Sequence, residues 1–329
     1  MRGPPHQFTG RCAIKPRIAG EFRRSAQQDP HHEPIIRNFK SNPPIDAQKA
    51  WSSTALAFFQ PPALGHAALR RFTRKPGITK QPMLTADILE FKVPFRRTVL
   101  VGNRWTPPAA TRTALLLHGG GTSAADGFVE LRTFLYAKGI ETLAFDCIGH
   151  GRTGGQLLGS TLHDRVLQVQ AVVKSQGIVP STLTLAGFSM GAYVVVKAAV
   201  EIGVPRLCLA IPAAYAAQAY EVPFGPEFSQ VLRTPRSWAN SDAFEITRDY
   251  TGHLLVISAQ DDQIVPAEIP QRYAPISGTR ASTVHHIVKR SGHNLSEHYE
   301  REPQARTAAY TEIALLCQRG DAWAAHKHQ

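Results

Sequence analysis

The chain has 329 residues, 43% of them hydrophobic and 19% charged, with a formal net charge of +12. This composition is typical of a globular protein, and the length suits one large α/β domain of roughly 250 residues plus additional sequence. The sequence has no apolar run of about 18 residues, so it predicts no transmembrane segment. Its four cysteines are widely spaced and form no C-x-x-C pair. They therefore indicate neither a disulfide framework nor a metal site, and a reducing, cytoplasmic setting is expected.

The positive charge lies at one end of the chain. Residues 1–80 contain 14 Lys and Arg against four Asp and Glu, whereas the rest contains 23 against 21. The predicted folded part is therefore close to neutral and has no basic face that would follow a phosphate backbone. We expect no nucleic-acid partner; nucleic-acid binding by the basic tail is the alternative.

Residues 1–82 differ in composition from the remainder. They hold three Pro-Pro pairs and few periodic apolar positions. Such a segment is predicted to be disordered because it cannot bury enough apolar surface to offset chain entropy. Met83 comes directly before the first predicted strand. Residues 1–82 are thus either a disordered, basic, proline-rich extension or sequence outside the native protein, and residues 83–329 form the folded domain.

From Ile88 onwards the pattern alternates between strands and helices. An antiparallel pair opens the domain, and a region of about forty irregular residues, 212–251, forms a short cap. The predicted strands are 88–95, 98–105, 114–117, 142–145, 182–188, 207–211, 254–258 and 284–288, and the predicted helices are 127–138, 163–176, 192–200 and 307–316. This order predicts an α/β fold with a doubly wound, mostly parallel sheet whose functional site lies at the carboxyl ends of the strands.

One strand-to-helix junction carries a nucleophile motif. Gly187-Phe188-Ser189-Met190-Gly191 follows an apolar run and precedes a second one. In this G-x-S-x-G pattern the glycines let the strand and helix backbones approach closely, and the serine is held on a strained, exposed turn. Ser189 is therefore the predicted nucleophile of an acyl-transfer reaction.

A serine nucleophile needs a base and an acid that orients the base. Asp261 and Asp262 follow the strand 254–258, and both carboxylates are candidates for the acid. His293 follows the last strand, and its position selects it as the base. Three other nearby histidines are interpreted as structural because they lie inside a strand or a helix: His285, His286 and His298.

The oxyanion of an acyl-transfer reaction needs fixed donors, which are expected after the strand 114–117. There the sequence reads His118-Gly119-Gly120-Gly121-Thr122. Consecutive glycines let backbone N–H groups approach a bound acyl oxygen. The predicted donors are the amides of Gly120 and Met190, and Gly121 is a further candidate.

With these motifs in order, residues 84–318 resemble the α/β-hydrolase superfamily, most closely its esterase, acylglycerol-lipase and serine-aminopeptidase-like group. Two further marks are a D-x-x-G-H-G-x-T turn, Asp146–Thr153, which is a structural corner in the family, and the Ile264-Val265-Pro266 turn, which favours Asp262 as the acid. The resemblance implies ester or related acyl hydrolysis without a metal or cofactor. Serine at position 189 disfavours a haloalkane dehalogenase, which has aspartate there.

The sequence thus predicts a serine hydrolase that cleaves an ester of a small or medium acyl substrate through an acyl-enzyme. The alternatives are a thioesterase, an acyltransferase or a peptidase with the same triad, and a non-catalytic binding module on the same fold. Five cap aromatics either line an acyl pocket or pack the cap itself. They are Tyr215, Tyr220, Phe224, Phe228 and Trp238.

Overall fold

The computed structural model describes residues 87–274 and 282–320, and within them eight strands form one sheet. The predictions for residues 1–82 and for a start at Met83 lie outside the described residues. Each predicted strand is present, with ends shifted by at most a few residues. The strands are β1 Asp87–Phe95, β2 Thr98–Thr106, β3 Arg112–Leu117, β4 Ile140–Phe145, β5 Leu183–Phe188, β6 Arg206–Ala210, β7 His253–Ala259 and β8 Thr283–Val288.

The sheet has the order β1-β2-β4-β3-β5-β6-β7-β8. Strands β1 and β2 pair antiparallel, β2 pairs antiparallel with β4, and every later pairing is parallel. The chain reverses its direction of winding at β3, because β4 lies on one side of β3 and β5 on the other. The carboxyl ends of β3 and β5 therefore flank the topological switch point, where open α/β sheets bind their ligands.

Helices cover both faces of the sheet, and outside the cap they are α1 Val129–Ala137, α2 Leu162–Ser175, α3 Met190–Ile202, α6 Glu268–Tyr273, α7 Leu295–Arg301 and α8 Pro303–Gln318. Helices α1, α7 and α8 pack on one face, and α2, α3 and α6 pack on the other. None of the helices among the described residues has both the length and the hydropathy needed to cross a lipid bilayer.

The cap is more regular than its sequence predicted. Residues 212–251 hold two α-helices, α4 Pro226–Arg233 and α5 Ala243–Asp249, and two 3₁₀ turns, Ala217–Tyr220 and Ser237–Asn240. Each of these segments is eight residues long or shorter. The prediction of an irregular cap was wrong because such short helices give too few apolar repeats to be recognised, and their stability comes from tertiary packing.

The described cysteines are structural. Cys147, Cys208 and Cys317 are free thiols, and all three are fully buried. Burial raises the pKa of Cys147 and of Cys317 to about 11. Since the thiolate is the reactive form, these side chains act as small apolar residues of the core.

Candidate active site

The turn between β5 and α3 holds Ser189 in a strained conformation. Its φ of 54° and ψ of −117° lie outside the regions that L-residues normally occupy. A Cβ on Gly187 would overlap the backbone of Gly191, and a Cβ on Gly191 would lie 2.5 Å from the carbonyl oxygen of Leu117. Both glycines are therefore required where the strand and the helix meet. The strain costs on the order of 1–3 kcal/mol. The turn places the Ser189 hydroxyl at the carboxyl ends of the parallel strands.

A chain of hydrogen bonds links Ser189 to a histidine and a carboxylate. His293 Nε2 lies 3.0 Å from Ser189 Oγ, and His293 Nδ1 lies 2.8 Å from Asp262 Oδ2. Because a carboxylate only accepts, Nδ1–H donates to Asp262, and the Nε2 lone pair faces the serine hydroxyl. The side chain of His293 is 17% exposed and that of Asp262 is 8% exposed. This arrangement has the geometry needed to take a proton from Ser189.

Asp262 is also held by the backbone that follows it. Its Oδ1 accepts hydrogen bonds from the N–H groups of Ile264 and Val265, at 2.8 and 2.9 Å. The neighbouring Asp261 is exposed instead, and its backbone N–H donates to the carbonyl oxygen of Ser291. Of the two candidate acids, the structure therefore brings Asp262 to His293.

The other histidines have separate environments. His285 Nε2 forms a 2.7 Å hydrogen bond with Ser258 Oγ, and burial lowers the pKa of His285. His286 is half-buried on β8, and His298 is buried in α7. Among the described histidines, His293 is the one that forms a hydrogen bond with Ser189.

The predicted oxyanion donors lie beside the nucleophile. A Cβ on Gly119 would be 3.2 Å from both the carbonyl oxygen of Phe188 and the Cβ of Ser189, so the glycine loop packs directly against the turn. Gly120 lines the cavity in front of Ser189, whereas Gly121 does not. Within the described part of the chain, the N–H groups of Gly120 and Met190 donate to no other group. Both amides are thus free to bind an oxyanion.

A cavity of about 500 Å³ opens at Ser189 and His293. It runs between α1 and α8, and we call it the crevice. Its wall includes Phe128 just before α1, Leu131 on α1, Phe188 at the end of β5, and Tyr310 and Ile313 on α8. The described residues that line it include no Asp, Glu, Lys or Arg. The crevice is therefore suited to an uncharged, apolar group.

None of the five predicted cap aromatics lines the crevice. Tyr215, Phe224, Phe228 and Trp238 are all buried. Three of them form an aromatic cluster, in which the ring centroids of Phe224 and Phe228 lie 4.9 Å apart, edge to face, and those of Tyr215 and Phe228 lie 5.7 Å apart. Trp238 packs separately, edge to face on Phe244. Tyr220 stacks on His163 at 5.0 Å. In the described residues, these rings contact one another and the core instead of this cavity.

The Asp146–Thr153 turn forms a structural corner. The carboxylate of Asp146 accepts hydrogen bonds from the N–H groups of Ala125 and Arg152, at 2.7 and 2.8 Å. A Cβ on Gly151 would overlap that carboxylate. The corner thereby ties the end of β4 to the start of the α1 region, which forms one wall of the crevice.

Sequence reasoning missed a buried polar cluster beneath the glycine loop. His118, His150 and Arg165 are 1%, 4% and 1% exposed, respectively. Burial, followed by the charge of Arg165, lowers the pKa of both histidines, that of His150 to about 4. A signal was available, because Arg165 shares the apolar face of α2 with Leu162, Val166 and Val169.

No group of three or more His, Cys, Asp or Glu side chains in the described ranges is arranged to hold a metal ion. Ser189, His293 and Asp262, at the carboxyl ends of the strands, are hydrogen-bonded to one another. The chemistry open to this arrangement is proton transfer, nucleophilic attack by serine and oxyanion binding.

Comparisons with known proteins agree with this fold. The model of the alpha/beta hydrolase family matches residues 114–247. With the sheet order and the serine turn, this match is consistent with the α/β-hydrolase superfamily, whose fold the described residues have. No curated protein sequence matches the chain.

Several solved structures resemble the chain at low sequence identity. Est1E from Butyrivibrio proteoclasticus, bound to ferulic acid, is 20% identical with a TM-score of 0.53, covering 68% of this chain and 98% of that chain. A predicted CIB-like hydrolase from Thermoplasma acidophilum is 18% identical with a TM-score of 0.51, covering 70% and 100%. The Pyrococcus furiosus esterase Pf2001 is 21% identical with a TM-score of 0.51, covering 73% and 98%. At these identities the likeness shows the fold alone.

Proposed function

We propose that this chain is a serine hydrolase that cleaves carboxylic esters with a small or medium acyl group. The observation that carries the proposal is the continuous hydrogen-bond chain from Ser189 through His293 to Asp262. The esterases among the solved neighbours support the same reaction class.

In the proposed mechanism, His293 Nε2 takes the proton of Ser189 as Oγ attacks the ester carbonyl carbon. Asp262 stabilises the imidazolium that forms, and the amides of Gly120 and Met190 donate to the oxyanion. The tetrahedral intermediate then collapses: the bond to the alcohol oxygen breaks, and His293 donates its proton to that oxygen. Water, deprotonated by His293, attacks the acyl-enzyme, and the second collapse releases the acid and restores Ser189.

The crevice supports the substrate class. Its lining is mostly apolar and uncharged, and a volume of about 500 Å³ is within the range of small-molecule sites. We propose that it holds the uncharged acyl group, either aliphatic or aromatic. Est1E binds ferulic acid, an aromatic acid, which is compatible with this class. A thioesterase, an acyltransferase and a peptidase would use the same triad and differ in the leaving group or the acceptor.

The proposal is tested by hydrolysis of p-nitrophenyl acetate, butyrate and octanoate by the full chain. We expect Ser189→Ala to lower kcat by roughly 10⁴–10⁶-fold, because the nucleophile is lost. Ser181→Ala, a change of an exposed serine, serves as the matched control and should retain full activity. Equal activity of the Ser189→Ala variant and the wild type would contradict the proposal. Absence of turnover with all three esters would contradict the proposal and favour a binding module instead.

A further inference from the structure

Arg165 is a buried cation next to the proposed oxyanion site. It lies on α2 and is 1% exposed. No carboxylate in the described ranges forms an ion pair with it. Its contacts are a carbonyl oxygen, an imidazole and the Phe224 ring, over which the guanidinium lies at 5.6 Å. A buried charge without a paired carboxylate is costly, so the position of this one requires an explanation.

The carbonyl that Arg165 contacts belongs to Gly119. Arg165 Nη1 donates to Gly119 O at 3.0 Å, and His118 Nδ1–H donates to the same oxygen at 2.8 Å. The carbonyl of Gly119 and the N–H of Gly120 belong to one planar peptide unit. Two donors on the oxygen, one of them charged, draw electron density away from the nitrogen and strengthen the opposite N–H as a donor.

The same cation also holds the rest of the loop. Arg165 Nη2 donates to His150 Nε2, and His150 Nδ1–H donates to Ser123 O at 3.0 Å. The Ser123 N–H in turn donates to Gly120 O at 3.3 Å. His118 is fixed from its other side, because the Cys147 N–H donates to its Nε2 at 3.0 Å. Each histidine thus donates through Nδ1 and accepts through Nε2, as a neutral imidazole does.

We propose that Arg165 is a positioning residue of the oxyanion site, which orients and polarises the Gly119–Gly120 peptide so that the Gly120 N–H binds the oxyanion more strongly. This inference rests on the proposed function. Arg165 should therefore stabilise the transition state more than the bound ester, because the negative charge on the acyl oxygen develops in the transition state and is small in the ester.

The test compares Arg165→Met with Arg132→Met in the full chain. Arg132 is an equally buried arginine, 2% exposed, but it binds Asn103 and Thr142 at the β2–β4 pair and contacts no part of the glycine loop. Three quantities are measured with p-nitrophenyl butyrate and an alkylboronic acid: kcat, KM and the affinity for the boronate. The boronic acid is suitable because it forms a tetrahedral adduct with a serine and so imitates the transition state. Thermal unfolding gives the stability of each variant.

Removing a direct oxyanion donor lowers kcat by roughly 10²–10³-fold. Arg165 acts on the donor only through the Gly119 carbonyl, so its loss should lower kcat by about tenfold. We expect Arg165→Met to lower kcat and boronate affinity by the same factor, with KM changed by less than about twofold. Arg165→Lys retains the charge and should recover part of the loss. Arg132→Met should lower the unfolding temperature without changing either kinetic quantity.

Equal effects of the two methionine variants on kcat would overturn the inference, as would wild-type boronate affinity in Arg165→Met. Either result leaves the proposed function standing if Ser189→Ala remains inactive. Where a methionine variant fails to fold, the Arg165→Lys and Arg132→Lys pair gives the same comparison. A wild-type chain that neither hydrolyses the ester nor binds the boronate contradicts the proposed function and the inference together.

Discussion

The cap and the crevice are two aromatic regions near one nucleophile, and they differ in what their rings contact. In the cap, Phe224 and Phe228 meet at 4.9 Å and are almost fully buried. In the crevice, the ring centroids of Phe128 and Phe188 lie similarly close, at 4.8 Å, but both rings line an open cavity that reaches Ser189. Aromatic content near a site is therefore a poor guide to substrate contact. What matters is whether the rings leave space beside the reactive atom.

After the loss of the nucleophile itself, the largest expected effect comes from the acid of the triad, which lies in neither aromatic region. Asp262→Asn should lower kcat for ester hydrolysis by roughly 10⁴-fold, because the amide cannot stabilise the His293 imidazolium and favours the wrong tautomer. Asp261→Asn is the matched control, since that side chain is exposed and one residue away. Steady-state kinetics of the two variants checks this. Similar losses in both would mean that Asp262 does not orient His293.

The cap is expected to contribute stability. Phe228→Ala should lower the free energy of unfolding by about 3–5 kcal/mol, because it leaves a cavity in a fully packed cluster. The relative rates with acetyl, butyryl and octanoyl esters should stay unchanged, because Phe228 does not line the crevice. Urea unfolding and the ester panel measure the two quantities. A changed acyl preference at unchanged stability would reverse the comparison and assign the cap to the substrate.

Beneath the glycine loop, the buried histidines should make the protein sensitive to acid. Burial and Arg165 lower the pKa of His150 from 6.5 to about 4 in the folded chain. The unfolded chain therefore binds more protons between these two values, and stability present above pH 6.5 is lost as the pH falls towards 4. We expect the His150 contribution to fall by about 2 kcal/mol between pH 7 and pH 5.

Urea unfolding at the two pH values measures this loss. His150→Gln provides the comparison, because glutamine offers an amide donor and a carbonyl acceptor but does not titrate in this range. The difference between pH 7 and pH 5 should shrink by about the same 2 kcal/mol in this variant. An unchanged pH dependence would show that His150 titrates alike in the folded and unfolded chains.

The smallest expected effect is a change of acyl preference in the crevice. Tyr310 lines it from α8 and is half-buried. Tyr310→Ala should raise kcat/KM for octanoyl relative to acetyl esters by about tenfold, since each methylene accommodated in an apolar pocket contributes about 1–3 kcal/mol. Leu315→Ala, an exposed position on the same helix, should leave the ratio unchanged. A constant ratio in both variants would mean that the acyl group binds elsewhere.

The sequence predicted the parts of the fold and site that depend on local backbone constraints. The glycines around Ser189 permit one kind of turn, and the positions of Asp262 and His293 follow from the strands before them. The doubly wound, mostly parallel sheet followed from the alternation of helices and strands, and the observed sheet agrees with it. These features are readable because each rests on a few neighbouring residues.

The features that the sequence did not predict depend on contacts between segments that are distant in the sequence. The short cap helices carry too little periodicity, and no local pattern shows which rings face a cavity. The contact of Arg165 with Gly119 joins residues 46 positions apart. An arginine on an apolar helix face is visible in the sequence, but its partner is fixed only when the sheet assembles. The crevice likewise requires α1 and α8, which are far apart in the sequence and come together only in the fold.

The most direct test of the central claim is covalent labelling of the full chain with a fluorophosphonate, followed by peptide mapping by mass spectrometry. The phosphonate reacts only with a serine that has a base and an oxyanion site beside it. We expect one adduct, on Ser189, that forms at the wild-type rate in Ser181→Ala and is absent in Ser189→Ala. An adduct on another serine, or no adduct on native folded protein, would contradict the assignment of Ser189 as the nucleophile.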